Sequence, residues 1–495
     1  MRVVNSLFAF MIVFLMTASA VMAEVTLPVV IASDMVLQRE CAAPIWGWAN
    51  PGEKVTVAFA GQTKTATAGK AGDWKVKLDP MPASAEPREL KVNHLTLKNI
   101  LVGDIWICSG QSNMEYGYRG DGKKTQSDMV RMFRVPTHIQ AGFAQDDTEG
   151  SWASFGDGNS RGFSGVGLFF GCKLQKDLEI PIGLIDTSWG GTRIEPWIAD
   201  EGYALIGKPI KKPDMTAIRK QQQQIITDVE KWTAKAKQRA DIGKITPFKA
   251  STKLGGKAPN GIYNAMVAPL APFGVKGAIW YQGESNRGSA YPDYFNKLQA
   301  LIGGWSKVFD APQFPFYIVQ IAPFTYGGKD HTVLCNNIWA AEYRAAKEIE
   351  NCGVIPTHDT INGNIKDIHP SDKKPVGERL AAMALNKSYG KDVICSGPVF
   401  KSAALKNGKV EVAFDKIDQG LETADGQAPT WFELSTDGKT FVAAEAVIKD
   451  STVIVSSAKV KTPKFVRMGW SEIAIPTLRD KNGWPVFQFS AMPVQ

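Results

Sequence analysis

Four short segments of the chain carry residue types that are suited to acyl transfer. The first, Ile107–Met114, reads ICSGQSNM and follows an apolar, strand-like run. Ser112 can there expose its hydroxyl at the strand edge where open α/β sheets bind ligands, and Gly110 permits a tight turn. The alternative is a loop serine that hydrogen-bonds its own backbone, and this segment alone fits both interpretations equally well.

Two further segments also follow strand-like runs. The segment Asp186–Arg193, DTSWGGTR, has paired glycines, so the backbone N–H of Gly191 can point into a cleft as an oxyanion donor; a simple turn is the alternative. In the segment Trp280–Asn286, WYQGESN, the amide of Gln282 can donate a hydrogen bond. Glu284 has three interpretations: buried structure, a substrate contact or a group that orients a histidine.

The fourth segment, Asp367–Pro370, reads DIHP and precedes a helix-like run. His369 can act as general base to a serine, while Asp367 can hold the other ring nitrogen. A single histidine is more often structural. Because the four loops together contain every part of an acyl-transfer site, the sequence favours catalysis.

The order of strand-like and helix-like runs predicts an α/β protein with β-rich ends. Residues 24–99 contain short runs separated by turn signals and are predicted to form an N-terminal β-module. Residues 100–390 alternate between the two kinds of run, which is typical of a parallel sheet flanked by helices. Residues 391–495 predict a second β-module, and the Lys/Arg-rich residues 207–258 predict a helical insertion in the core.

The net charge of +8 is local rather than general. Residues 207–258 contain 13 Lys/Arg and 4 Asp/Glu, a surplus of +9, so the rest of the chain carries 8 − 9 = −1. No nucleic-acid-binding motif accompanies this segment, and a solvated helical face is the preferred interpretation. The five histidines form no His-Glu-x-x-His motif or Cys/His cluster, so no metal or other cofactor is predicted.

The N-terminus has the pattern of a signal peptide. Arg2 precedes the apolar run Leu7–Met16, and small residues follow up to Ala23. We therefore expect residues 1–23 to be removed, with cleavage after Ala20 as the alternative site, and the mature protein to be periplasmic or secreted; a retained anchor is the alternative to cleavage. The run is too short to favour a membrane span, which needs about 20 apolar residues. No pattern in the sequence sets an oligomeric state.

Taken in order, the motifs GQSNM (110–114), WGGT (189–192), WYQGES (280–285) and DIHP (367–370) resemble those of the sialate O-acetylesterase family of SGNH-type hydrolases. The likeness extends over most of residues 24–495. It implies a three-layer α/β/α core of flavodoxin-like type with flanking β-sandwich-like modules. It also implies that Ser112 is the nucleophile and His369 the base, with an oxyanion hole formed by the N–H groups of Ser112 and Gly191 and by Gln282.

The chain departs from the wider SGNH pattern at one position. Many of these hydrolases carry Asp-x-x-His, whereas this chain has Lys366 at the acidic position and Asp367 one residue later. Asp367 is the first candidate for the acid of the triad. In related acetylxylan esterases the glutamate of the Gln-Gly-Glu loop has that role, which makes Glu284 the alternative.

The resemblance implies a substrate that carries an acetyl ester on a sugar hydroxyl, with 9-O-acetylated sialic acid as the first choice. Acetylated xylan or another plant polysaccharide is the alternative substrate, and a non-catalytic secreted carbohydrate-binding protein is an alternative of another class. Arg193 can pair with a sialic acid carboxylate or with a carboxylate of the protein itself. The residues expected beside the sugar are Trp189, Arg193, Trp197, Trp280, Tyr281 and Glu284.

Overall fold

The computed structural model describes residues 25–120, 127–156, 160, 162–211, 214–239 and 259–495. The predicted signal peptide, residues 1–23, lies outside these ranges, as do residues 240–258 of the predicted basic insertion. The described part of the chain combines a large central sheet with helices and with separate β-sheets near both ends. The predicted α/β class with additional β-modules is confirmed at this level.

The first 110 residues contain seven strands, counted over the described part. These strands are β1 (Val36–Gln38), β2 (Ala43–Trp48), β3 (Lys54–Phe59), β4 (Gln62–Thr67), β5 (Asp73–Leu78), β6 (Ser84–Val92) and β7 (Leu95–Gly110). Strands β2 and β5 pair with each other, while β3, β4 and β6 form antiparallel pairs that lead to β7.

The middle of the chain alternates strands and helices. Its strands are β8 (Val130–Arg134), β9 (Trp152–Ser154), β10 (Ile182–Asp186), β11 (Gly277–Tyr281), β12 (Phe316–Val319) and β13 (Cys352–Ile355). Its helices are α1 (Ser112–Glu115), α2 (Gly165–Leu178), α3 (Asp200–Leu205), α4 (Met215–Arg239), α5 (Asp293–Val308), α6 (Ala340–Glu348) and α7 (Lys374–Tyr389). Helix α4 occupies most of the described part of the Lys/Arg-rich segment.

The central sheet has the strand order β13-β12-β11-β7-β10-β8-β9. All of its pairs are parallel except that of the edge strand β9 with β8. Strands β10 to β13 are buried at every position, as their continuous apolar runs require. Such runs are typical of parallel strands that are covered on both faces.

Strand β7 belongs to two structures at once. Its first five residues alternate between exposed and partly buried positions, whereas its last eleven are all buried. The strand pairs with β6 up to Val102 and with β1 at residues 101–103, and from Asp104 onward it pairs with β10 and β11. The boundary predicted between residues 99 and 100 therefore falls inside a continuous strand. The N-terminal β-module and the central sheet share this strand.

Helices α2 and α7 pack against each other. Helix α2 begins after Ser164, whose hydroxyl accepts the N–H of Gly167 at 3.0 Å. Gly377 of α7 lies against Val166 and Phe169 of α2 so closely that a Cβ would overlap both. Helix α7 ends at Gly390, which adopts the left-handed conformation.

The C-terminal part of the chain forms small antiparallel sheets around a second apolar core. Its strands are β14 (Val399–Lys406), β15 (Lys409–Asp415), β16 (Leu421–Thr423), β17 (Phe432–Ser435), β18 (Val442–Ala443), β19 (Glu445–Lys449), β20 (Thr452–Ser456), β21 (Phe465–Met468), β22 (Leu478–Asp480) and β23 (Phe489–Pro493). Alternating strands such as β15 bury one face in that core. Among the described residues, no helix has the length and apolar character needed to span a bilayer.

A buried ion pair connects the C-terminal part to the loop that follows β11. The guanidinium of Arg287 donates two hydrogen bonds to the fully buried carboxylate of Glu472, at 2.9 and 2.8 Å. The backbone N–H of Glu472 also donates to the carbonyl of His331 at 2.6 Å. The position of this loop therefore depends on a residue that lies almost 200 positions later in the chain.

We predict that Arg287→Ala lowers the free energy of unfolding by about 3 kcal/mol, because it leaves the carboxylate of Glu472 buried without its cation. The matched control is Arg479→Ala, which removes an ion pair to the partly exposed Glu422. That variant should change stability by less than about 1 kcal/mol. Chemical denaturation measures both, and equal effects of the two substitutions would contradict the prediction.

Candidate active site

Three of the four motifs meet at the carboxyl edge of the central sheet. Strand β7 lies between β10 and β11, with Cys108 opposite Asp186 and Gly110 opposite Tyr281. Because the three strands are parallel and end at the same level, the loops that follow them are neighbours. Ligands of open parallel sheets bind at this edge.

Gly110 makes the turn after β7 possible. Its φ is +138°, and a side chain there would overlap the backbone of Tyr281. The next residue, Gln111, donates its N–H to the carbonyl of Tyr281 at 2.9 Å. Helix α1 then begins at Ser112, so the serine sits at the point where the chain leaves the sheet.

The structure brings Ser112 and His369 together across 257 residues of sequence. The Oγ of Ser112 lies 2.8 Å from Nε2 of His369. Burial and the charge of Lys373 lower the pKa of His369, although Asp367 opposes this effect. The imidazole is therefore neutral at pH 7 and can accept the hydroxyl proton.

The two candidate acids contact the site in different ways. Asp367 is exposed, and its Oδ1 accepts the backbone N–H of His369 at 2.9 Å. Glu284 is only 8% exposed, and its Oε1 accepts the side-chain amide of Asn113 at 2.7 Å. Over the described residues, neither carboxylate is hydrogen-bonded to the imidazole ring. Asp367 nonetheless lies within electrostatic range of His369.

Gly190 and Gly191 lie beside the serine. The N–H of Gly190 donates to the carboxylate of Glu115 at 2.6 Å, and a Cβ on Gly190 would come within 3.2 Å of the Cβ of Ser112. Gly191 is exposed with φ +72°, and a Cβ added there would meet no heavy atom within 4 Å. Gly190 therefore packs next to Ser112, whereas the following residue, Gly191, faces open space.

Gln282 does not face that space. Its side chain is fully buried, and its Nε2 donates to Gln111 Oε1 at 3.1 Å, to the Thr192 carbonyl at 3.1 Å and to Asn286 Oδ1 at 2.9 Å. An amide has only two hydrogens, so all of its donor capacity is used within the protein. The structure therefore corrects the prediction that Gln282 donates to an oxyanion: the residue joins the three loops to one another.

Three of the aromatic residues expected beside the sugar are part of the core instead. Trp197, Trp280 and Tyr281 are all fully buried. The ring of Trp280 packs edge-on against Trp197 at 5.9 Å and against Trp305 at 6.2 Å. The predicted sugar contacts of these three side chains are therefore wrong, because strands β10 and β11 and their flanks are covered on both faces.

Trp189 and Arg193 are the accessible members of the predicted set. Trp189 is half-buried, with its ring 5.2 Å from that of His138. The Arg193 side chain is 56% exposed and donates to Glu195 Oε1 and Ser289 Oγ, both at 3.1 Å. The intramolecular ion pair that the sequence left open as an alternative is thus present.

Glu195, the partner of Arg193, is a fixed anion. Its Oε1 also accepts the ammonium of Lys297 at 2.8 Å, and its Oε2 accepts the amide of Asn286 at 3.0 Å. Burial opposes the charge, but these hydrogen bonds outweigh it and lower the pKa of Glu195 to about 2. The carboxylate holds the loops after β10 and β11 together.

The sequence patterns did not identify several residues that contact the site. The ring of Tyr116 stacks on that of His369 with centroids 6.4 Å apart, and the guanidinium of Arg119 lies 4.7 Å from the centroid of Tyr116. Lys373 donates to Asn113 Oδ1 at 2.6 Å. The available signal in the sequence was spacing. Tyr116 lies four residues after Ser112, and Lys373 lies four residues after His369.

Comparisons with known proteins identify the family of the chain. The family described as carbohydrate esterase, sialic acid-specific acetylesterase, matches residues 102–226 and 230–386, which include all four motifs. The fold and the site define a carboxylic ester hydrolase. The chain belongs to the sialic acid-specific acetylesterase family of carbohydrate esterases, and the resemblance seen in its motifs is confirmed.

Individual relatives cover most of the chain. The human sialate O-acetylesterase is 31% identical over 412 residues, covering 74% of this chain and 72% of its own. The rat sialate O-acetylesterase is 29% identical over 487 residues, covering 88% of each chain. A solved carbohydrate acetylesterase from Xanthomonas citri superposes with a TM-score of 0.76 at 29% identity, covering 94% of this chain and 99% of its own. Family membership favours an enzyme over the non-catalytic alternative.

We predict that Gly110→Ala disables the site, because its Cβ overlaps the Tyr281 backbone and its φ is unfavourable for alanine. The variant should lose at least about 2 kcal/mol of stability and most of its esterase activity. The control is Gly288→Ala in the neighbouring loop, where an added Cβ meets no atom within 4 Å and φ is not positive. Denaturation curves and hydrolysis of p-nitrophenyl acetate report the two effects, and an active, stable Gly110→Ala variant would refute this account of the turn.

Proposed function

We propose that the protein is a serine esterase that releases acetate from O-acetylated sugars, with 9-O-acetylated sialic acid as the preferred substrate. The observation that carries the proposal is the 2.8 Å contact between Ser112 Oγ and His369 Nε2. The names of the mammalian relatives, sialate O-acetylesterase, support the choice of sugar. An exported protein that has lost residues 1–23 would meet such a substrate outside the cytoplasm.

In the proposed reaction, Ser112 Oγ attacks the acetyl carbonyl while His369 takes the hydroxyl proton. His369 then gives that proton to the departing sugar oxygen, which leaves an acetyl group on Ser112. A water molecule attacks this ester in the same way, so that acetate is released and the serine is restored. Each turnover consumes one water and produces one acetate and one sugar hydroxyl.

The negative oxygen formed in both steps needs hydrogen-bond donors. We assign this role to the backbone N–H groups of Ser112 and Gly191. Ser112 is the first residue of α1, where an N–H has no partner within the helix, and Gly191 faces open space and directly follows Gly190, which packs next to Ser112. A donor of this kind contributes a few kcal/mol of transition-state stabilisation.

We further propose that the central sheet is the core of a three-layer SGNH-type hydrolase. Beyond β10 lies one further parallel strand, β8; without it, the parallel strands β10, β7, β11, β12 and β13 lie in the order 2-1-3-4-5 when numbered along the chain. This is the order of flavodoxin-like sheets, whose ligands bind beside the first strand. Strand β7 is the first strand here, and Ser112 follows it directly.

A neutral acetylated polysaccharide such as xylan is the second candidate substrate. The observation in its favour is that Arg193 is already paired with Glu195, so its charge is partly compensated within the protein. The residues proposed to transfer the acetyl group act on the ester itself, so they are compatible with either sugar.

Acetate release by the purified protein tests the proposed function. We expect release from 9-O-acetylated sialic acid to exceed that from acetylated xylan, and Ser112→Ala to reduce both by at least about a thousandfold. Retained activity in Ser112→Ala would refute the serine mechanism. Release from xylan alone would move the substrate to plant polysaccharide.

Two isosteric variants identify the acid that supports His369. We expect Asp367→Asn to lower kcat about tenfold, because it removes a negative charge that stabilises the imidazolium formed during the reaction. Glu284→Gln keeps an oxygen that can accept the amide of Asn113, and should lower kcat less than about threefold. Steady-state kinetics on one substrate compare the two, and a larger loss in Glu284→Gln would assign the role to Glu284.

A further inference from the structure

A buried lysine lies behind the serine–histidine pair. Lys373 is only 3% exposed, although lysine is almost never fully buried unless its ammonium has partners. Its Nζ donates to Asn113 Oδ1 at 2.6 Å. Asn113 directly follows Ser112, and Lys373 directly precedes helix α7, so this contact joins the loop of the nucleophile to the loop of the base.

Asn113 connects this cation to two further groups. Its amide nitrogen donates to Glu284 Oε1 at 2.7 Å and to the carbonyl of Ile368 at 3.0 Å. Both amide hydrogens and the amide oxygen therefore have partners, which fixes the side chain completely. Because Ile368 immediately precedes His369, its carbonyl ties the backbone of the histidine to the loop that carries Ser112.

Lys373 and His369 share an aromatic neighbour, Tyr116. Its Nζ is 5.0 Å from the ring centroid of Tyr116, and Tyr116 stacks on His369. On its other side, Nζ is 5.6 Å from the ring centroid of Tyr281. The position of Nζ beside the two rings is that of a cation–π contact, which partly replaces the lost hydration of the ammonium.

Three carboxylates act on this lysine: Glu284, Asp367 and Asp372. Burial lowers the pKa of Lys373 to about 7, and the carboxylates only partly oppose this change. Glu284 is itself buried, which raises its pKa. The lysine is therefore mostly charged below pH 7, on the acidic side where the lowered pKa places the titration of His369.

We propose that Lys373 is a positioning residue of the esterase: through Asn113 it fixes the backbone ahead of His369, and its positive charge keeps the imidazole unprotonated. This inference rests on the proposed serine mechanism. Lys373 thereby helps to position the base. Over the described residues, neither Asp367 nor Glu284 does so through a hydrogen bond to the imidazole ring. The contact of Asn113 with the carbonyl of Ile368 fixes the backbone next to His369. The charge of Lys373 opposes protonation of the imidazole, whereas Asp367 favours it.

The proposal sets the direction of a pH effect. Below pH 7 the charged ammonium of Lys373 disfavours the imidazolium of His369, so the histidine remains a base at lower pH. Removing the ammonium raises the pKa of His369, because burial then acts without the cation while Asp367 still favours the protonated ring. The acid side of the activity profile should move to higher pH.

The experiment measures how fast a fluorophosphonate inactivates Ser112 between pH 4.5 and 8.5. This reagent forms a bond between phosphorus and Ser112 Oγ with loss of fluoride, and it depends on neutral His369 but not on the identity of the sugar. We expect Lys373→Met to shift the midpoint of the profile upward, so that the rate at pH 5, relative to the plateau, falls at least about threefold. The matched control is Lys374→Met, which changes an exposed neighbour that pairs loosely with Glu378 and should leave the profile unchanged.

A lysine that only supports the fold would give a different result. Lys373→Met would then react more slowly at every pH without a change in the midpoint, and this outcome would overturn the proposal. Lys373→Arg retains a charge and should keep the midpoint near that of the wild type even if its plateau rate falls. A midpoint raised as far in Lys373→Arg as in Lys373→Met would also overturn it.

The same measurement separates this inference from the proposed function. If the wild type reacts no faster than Ser112→Ala, the serine mechanism fails and the inference fails with it. If the wild type reacts and only the expected shift is absent, the serine mechanism stands and the assigned role of Lys373 is wrong.

Discussion

The geometry of the site depends on one backbone hydrogen bond, donated by the N–H of Gln111 to the carbonyl of Tyr281. It extends the pairing of β7 with β11 one residue past the point where β7 turns away. Only a residue without a side chain at Gly110 lets the two strands approach so closely. The bond sets the start of α1, and with it the direction in which the hydroxyl of Ser112 points toward His369.

Much of this arrangement is predictable from sequence, because strand ends in a parallel sheet converge on one edge. The segments around Ser112 and Gly191 can be placed together on that ground, whereas His369 precedes helix α7 and does not directly follow a strand. The orientations of Trp280, Tyr281 and Gln282 could not be predicted. In an exposed strand, alternation distinguishes inward from outward residues, but β11 is covered on both faces, so residue type no longer reports which side chains reach solvent.

Local sequence patterns also did not predict which polar residues connect the loops. Gln282, Asn286 and Glu195 form a buried network whose members come from two separate segments. Read in its own motif, Gln282 resembles an oxyanion donor, and no sequence pattern assigns a role to Asn286 or Glu195. Their donors and acceptors are instead paired with one another, and such fully paired networks fix loop geometry in a medium of low dielectric constant.

The shared strand β7 has a consequence for how the protein can be divided. With 16 residues it runs for about 50 Å and carries the edge pairing of the N-terminal sheet at one end and the catalytic turn at the other. A recombinant fragment that starts near residue 100 would lose the antiparallel partner of the strand and expose an unpaired edge, which invites aggregation. The N-terminal module is therefore not an appendage that can be exchanged between proteins, but part of the scaffold on which the nucleophile is mounted.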